Sequence, residues 1–132
     1  AVLEEVRPPY NLSSLDQRAA ELALTHAASW CADRAADVVA ERARLAAVLS
    51  GHGLEVFPSH ANLLLARVPG PPSEATALWH RLAEAGIVVR AFGDTGPLAG
   101  CLRVTVGTPE QTAELRDALH LINLGAGTPR DH

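Results

Sequence analysis

Eight residues, Cys101-Leu102-Arg103-Val104-Thr105-Val106-Gly107-Thr108, constrain the fold most, because a strand runs into a helix start within them. In extended backbone, side chains alternate faces, so Leu102, Val104 and Val106 point to one side and Cys101, Arg103 and Thr105 to the other. The first set reads as core. Thr108 supplies an N-cap oxygen, Pro109 suits the first helical position where no amide hydrogen is needed, and Gln111 completes a T-x-x-Q capping box. Arg103 therefore faces away from the core, where a guanidinium meets solvent, an acidic neighbour or a ligand.

The same periodicities organise the rest of the chain. Arg7-Pro8-Pro9-Tyr10-Asn11 forbids helix, so residues 1–13 read as a linker leading in. Ser14 with Gln17 forms a second capping box, and Leu15, Ala19, Leu22 and Ala23 carry a helix to about His26. A second helix spans about Ser29 to Ser50. Its expected apolar side holds Trp30, Val38, Leu45, Val48 and Leu49, with Arg34, Glu41 and Arg44 opposite, and Gly51 and Gly53 end it. Leu54 to Phe57 and Ala61 to Val68 read as strands around Pro58-Ser59-His60. Ser73 is expected to cap a helix with Ala75, Leu78, Trp79 and Leu82 on one face, stopped by Gly86. Ile87 to Phe92 is the next strand, and Leu115, Ala118, Leu119 and Ile122 define a final helix. Residues 14–124 thus form one domain, and 125–132 read as a loose tail. This order predicts an α+β fold: a small, largely antiparallel sheet with helices packed mainly on one side.

The 132 residues suffice for one real core. A net charge of -4 provides no basic footprint for nucleic acid. No run of about 18 apolar residues exists for a membrane span, and no signal peptide is visible. All eleven basic residues are arginine; the absence of lysine removes Schiff-base and P-loop chemistry from this chain. A start at Ala1 with no methionine suggests processing or a piece of something longer. Cys31 and Cys101 fit neither a C-x-x-C nor a zinc pattern, so buried free thiols and a reducing cytoplasm are expected.

Strands Ile87 to Phe92 and Cys101 to Val106 flank an eight-residue loop, and a hairpin closed about its middle sets Arg90 opposite Arg103. Directly opposed like charges destabilise a sheet, so the pair calls for a compensating anion, either a nearby carboxylate side chain or a bound ligand. A one-residue slip would separate the two arginines onto opposite faces. The six histidines form no H-x-x-x-H or H-E-x-x-H motif, and no metal site is expected. Trp30 and Trp79 lie on apolar helix faces and read as core. Tyr10 and Asn11 in the connector, and Asn62 at a strand entrance, are candidate pocket or domain-junction residues.

The segments Arg7-Pro8-Pro9-Tyr10-Asn11-Leu12-Ser13, Glu41-Arg42, Phe57-Pro58-Ser59-His60-Ala61-Asn62-Leu63-Leu64, Gly86-Ile87-Val88-Val89-Arg90 and Cys101 to Thr108 stand in an order and spacing that resembles the histidinol-phosphate aminotransferases. The resemblance covers nearly the whole chain and falls on the C-terminal small domain of those fold-type I enzymes. It implies that Arg103 holds the carboxylate of the amino-acid donor, or the phosphate of histidinol phosphate, and that Arg90 is an additional phosphate-binding arginine. It further implies pyridoxal phosphate as cofactor of the full-length parent, amino transfer between glutamate and imidazole-acetol phosphate in histidine biosynthesis, and a homodimer. The family's Schiff-base lysine belongs to a large domain that would precede Ala1. On that basis the chain is expected to bind no cofactor covalently and to be inactive alone. A non-catalytic α+β domain that binds a small molecule or a protein is the alternative.

Overall fold

The computed structural model describes residues 12–126, with side chains described as far as residue 122. The chain divides into two compact units, Ala1–Ala36 and Asp37–His132.

The described part of the first unit is helical. Helix α1 spans Ser14–His26 and is capped by Ser13, whose hydroxyl accepts from the Asp16 amide at 3.0 Å. The cap is therefore Ser13 and not Ser14: the Gln17 amide bonds the Ser13 carbonyl, which makes Ser13 the residue half outside the helix. Helix α2, Ala28–Gly51, follows after the single non-helical residue Ala27 and continues into the second unit. No residue of α1 is buried. Trp30, expected in the core, is 61% exposed, since this turn of α2 lies outside the core cluster.

The second unit holds the core. Strands β1 (Glu55–Val56), β2 (Leu63–Arg67), β3 (Arg90–Ala91) and β4 (Cys101–Thr105) form an antiparallel sheet in the order β1-β2-β4-β3. Helix α3 (Ser73–Glu84) lies between β2 and β3 in sequence, and α4 (Pro109–Ala126) follows β4. The register pairs Leu64 with Val104 and Ala66 with Leu102, and these four residues are buried together with Leu45 and Leu49 of α2, Leu78 and Leu82 of α3, and Leu115 and Leu119 of α4. The α+β expectation holds: one sheet face meets the helices. Burying each of these leucines contributes on the order of 1.5–3 kcal/mol.

Four local expectations are corrected. Glu41, assigned to the polar side of α2, is 4% exposed because it stands one turn before Leu45 in the same i, i+4 row that reaches Leu49. Its Oε2 accepts from Arg44 at 3.2 Å, and its Oε1 has no partner among the described residues. Ser73 makes no side-chain cap; the helix starts on Pro72, and the carbonyls of Pro71 and Pro72 accept from the amides of Glu74 and Ala75. Strands β1 and β3 are shorter than expected, yet Ile87, Val89 and Ala91 still pack on the core while Val88 is exposed. Core burial sets the alternation even where backbone pairing has ended. Helix α4 runs through Ala126, past the expected start of the tail at residue 125.

Helix α3 ends at a glycine. Gly86, at φ 81°, leaves α3 in the left-handed region, and the Ile87 amide returns to the Leu82 carbonyl at 2.8 Å. At the same end of the sheet, Thr108 and Gln111 form the capping box: the Thr108 amide donates to Gln111 Oε1 at 3.0 Å and the Gln111 amide to Thr108 Oγ1 at 3.3 Å. The strand-to-helix turn that follows Arg103 is thereby fixed.

Candidate functional site

Arg103 occupies the middle of β4, an inner strand paired on both sides. Its Cα partners are Leu65 on β2 and Arg90 on β3, so the two arginines stand directly opposed on one face of the sheet, as the loop symmetry predicts. That face is turned away from the core leucines. The hairpin closes through the Phe92 amide to the Cys101 carbonyl at 3.3 Å and the Gly100 amide to the Gly93 carbonyl at 3.2 Å. Arg90 is exposed and lies over the Phe92 ring, 5.6 Å from its centroid, while Arg103 is half-buried.

Neither guanidinium makes an ion pair with a carboxylate among the described residues. Two neighbouring cations with no acidic partner among the described residues favour an anion between them. A cavity of about 600 Å³ opens over the pair, lined also by Thr76 and Trp79 of α3, Val89 and Thr105. Arginine presents its donors in a planar fork that matches carboxylate and phosphate oxygens, so this arrangement is suited to a small molecule with an anionic group. A second cavity, about 370 Å³, lies where β4 turns into α4 and is walled by Leu45, Val104, Val106, Gln111, Thr112 and Leu115. It contains no arginine.

Of the other sequence candidates, Asn62 is exposed, does not line the arginine cavity, and spends its backbone carbonyl on the Val106 amide at 2.9 Å. Tyr10 and Asn11 lie outside the described residues. Trp79 is only partly core: it packs against the cluster while its indole N–H donates to the Val89 carbonyl at 3.0 Å. Thr76, one turn earlier, donates to Asp94 Oδ1 at 2.8 Å. No local pattern in the sequence marks these two bonds, since each joins residues 10 or more positions apart. Among the described residues no cluster of three or more His, Cys, Asp or Glu could hold a metal, and no helix is long and apolar enough to cross a membrane. Cys31 and Cys101 are free thiols; Cys101 is fully buried and Cys31 half-buried.

The sequence profile described as "Aminotransferase class I and II" matches residues 1–119. The chain is 43% identical over 118 residues to histidinol-phosphate aminotransferase 2 of Cupriavidus pinatubonensis, covering 88% of this chain and 31% of that protein. It is 44% identical over 120 residues to histidinol-phosphate aminotransferase 1 of Ralstonia nicotianae, covering 89% and 31%. The chain thus spans about a third of the length of the curated relatives it matches. Among solved structures, a putative aminotransferase from Burkholderia pseudomallei matches with a TM-score of 0.70 and 29% identity over 92% of this chain and 36% of the other. The fold is also that of histidinol-phosphate aminotransferase from Sinorhizobium meliloti in complex with pyridoxal-5'-phosphate, at a TM-score of 0.80 and 23% identity over 96% of this chain and 34% of that one. By the extent of the profile match, the chain belongs to the class I and II aminotransferases.

Proposed function

We propose that this chain is the C-terminal part of a histidinol-phosphate aminotransferase, and that it contributes the grip on the substrate's anionic group to amino transfer between glutamate and imidazole-acetol phosphate in histidine biosynthesis. The observation that carries this reading is the direct opposition of Arg90 and Arg103 with no carboxylate partner among the described residues. Arg103, held on both sides by the sheet, takes the donor carboxylate or the substrate phosphate; Arg90, on the edge strand, adds charge when the group is a phosphate. Each charge-assisted hydrogen bond gained contributes about 1.5–3 kcal/mol.

The cofactor of such a reaction, pyridoxal phosphate, is an electron sink that needs a lysine amine for its covalent anchor. The sequence contains no lysine, so the residues present do not fit covalent attachment. That anchor belongs to a large domain of the parent polypeptide, a cytoplasmic homodimer, and this chain alone is inactive. What its own residues do is bind and orient: they hold the charged end of a substrate whose reacting amine lies elsewhere.

A chimera tests the reading. Exchanging this chain for the corresponding third of the Cupriavidus enzyme should preserve amino transfer from glutamate to imidazole-acetol phosphate, and Arg103→Gln in that chimera should lower kcat/KM roughly 10- to 100-fold. Turnover by the isolated chain with pyridoxal phosphate, or an Arg103→Gln chimera as active as its parent, would overturn it. A chimera that folds and binds the cofactor without transferring amino groups would favour the non-catalytic binding domain.

A further inference from the structure

Arg90 is the less securely held of the two arginines. Strand β3 pairs only over Arg90–Ala91, has β4 on one side and nothing of the sheet on the other, and leads into the loop that ends at Gly100. In an antiparallel ladder, residues alternate between directing their amide and carbonyl toward the partner strand and away from it. The Phe92 amide bonds to β4, so Arg90 has the same sense, and Val89 directs its carbonyl outward from the sheet edge. That outward carbonyl receives the Trp79 indole N–H at 3.0 Å. One turn back on α3, the Thr76 hydroxyl donates to Asp94 Oδ1 at 2.8 Å. Positions 76 and 79 are i, i+3 neighbours on one helix face. The helix therefore ties the chain down immediately before Arg90 and again four residues after it, and both tying side chains line the arginine cavity.

We infer that Trp79 and Thr76 are positioning residues for Arg90: together they set where the second guanidinium stands over the cavity. The Trp79 ring packs against the hydrophobic core, so its donor is anchored to the core of the second unit. Thr76 has an additional effect, because Asp94 is the carboxylate nearest to Arg90 in sequence and one of its oxygens is engaged by the hydroxyl. Arg90 instead rests over Phe92 and stays available. The inference deepens the anion-grip reading and rests on it for its functional meaning, but the placement of Arg90 can be measured independently.

The test uses the 132-residue chain, with inorganic phosphate as probe and the arginine Nε–Hε signals observed by two-dimensional NMR. In the unaltered chain, phosphate should shift the signals of both Arg90 and Arg103. In Trp79→Phe and in Thr76→Val, the Arg103 shift should persist while the apparent affinity read at Arg90 falls at least about five-fold; a merely structural role would weaken both arginines alike. Hydrogen exchange of the Phe92 amide should also speed up about ten-fold in Trp79→Phe, with that of the core strand β4 unchanged. Thr76→Val leaves the core intact and decides the matter if Trp79→Phe does not fold. Unchanged Arg90 response and unchanged Phe92 exchange in both variants would refute the inference. If phosphate moves neither arginine in the unaltered chain, the anion grip fails, and Phe92 exchange alone decides the positioning.

Discussion

Replacing Arg90 and Arg103 by glutamine, singly and together, measures what the two charges do to one another. They are Cα partners in an antiparallel pair, so their Cβ atoms stand roughly 4.5–5.5 Å apart. For charges spread to roughly 8 Å by their long side chains, Coulomb's law gives a repulsion of about 0.5 kcal/mol in water and about 2 kcal/mol at an effective dielectric of 20. Arg90 is exposed and Arg103 half-buried, which sets the expected coupling near the lower end, about 0.5–1 kcal/mol. The cycle is needed because Arg90→Gln alone also removes the contact with the Phe92 ring at 5.6 Å, an opposing loss that cancels in the double difference. Urea melts of the four chains at low ionic strength should give a repulsive coupling, and at about 1 M sodium chloride, where the screening length is about 3 Å, the coupling should vanish. With phosphate present the sign should reverse, since one dianion rewards each arginine only when the other is there. An attractive coupling without added anion, or one that salt leaves unchanged, would show that the pair is neutralised from within the chain and would sink the argument.

Four further outcomes follow from the same structure. Thr108→Ala should cost about 1 kcal/mol in a urea melt by removing the cap hydroxyl, and Gly107→Ala should disturb the same box because its new Cβ runs into the Gln111 side chain. The Glu110 carboxyl is held below its ordinary pKa, first by the Thr108 side chain and then by its own backbone amide. Its contribution is therefore complete above the ordinary glutamate range and lost as pH falls through the lowered folded value, so Glu110→Gln should flatten the acid limb of a stability-against-pH curve. Leu102→Ala, at a site 1% exposed, should destabilise by about 3–5 kcal/mol in calorimetry or urea melts.

The arginine register was legible in the sequence for a definite reason. The eight-residue loop, closed about its middle, sets Arg90 against Arg103, and the alternation of Leu102, Val104 and Val106 turns Arg103 away from the core. The Thr108 box was equally legible, because its partners lie three residues apart and need no tertiary information. Glu41 was not: binary patterning sends a carboxylate to solvent, whereas the i, i+4 row through Leu45 and Leu49 carries it inward. Ser13 and Ser14 are chemically equivalent caps, and only the backbone decides between them. The bonds from Trp79 and Thr76 depend on where α3 lies beside β3, which no spacing within the helix encodes. The family resemblance extended the reading from an anion to a substrate class, and the match over residues 1–119 carries the aminotransferase membership but not the arginine roles.

The indole bond to Val89 also bears on self-assembly. A sheet edge with unpaired carbonyls and amides is a template for a strand from another molecule. Here the β3 edge is two residues long and the outward carbonyl just before it, that of Val89, is occupied by Trp79, while the opposite edge, β1, offers only Glu55 and Val56. Neither edge gives an incoming strand the run of free partners that amyloid-like stacking requires. Among the described residues, association of copies falls to side chains such as the exposed Leu15, Leu24 and Leu121 rather than to sheet extension, and should be reversible on dilution.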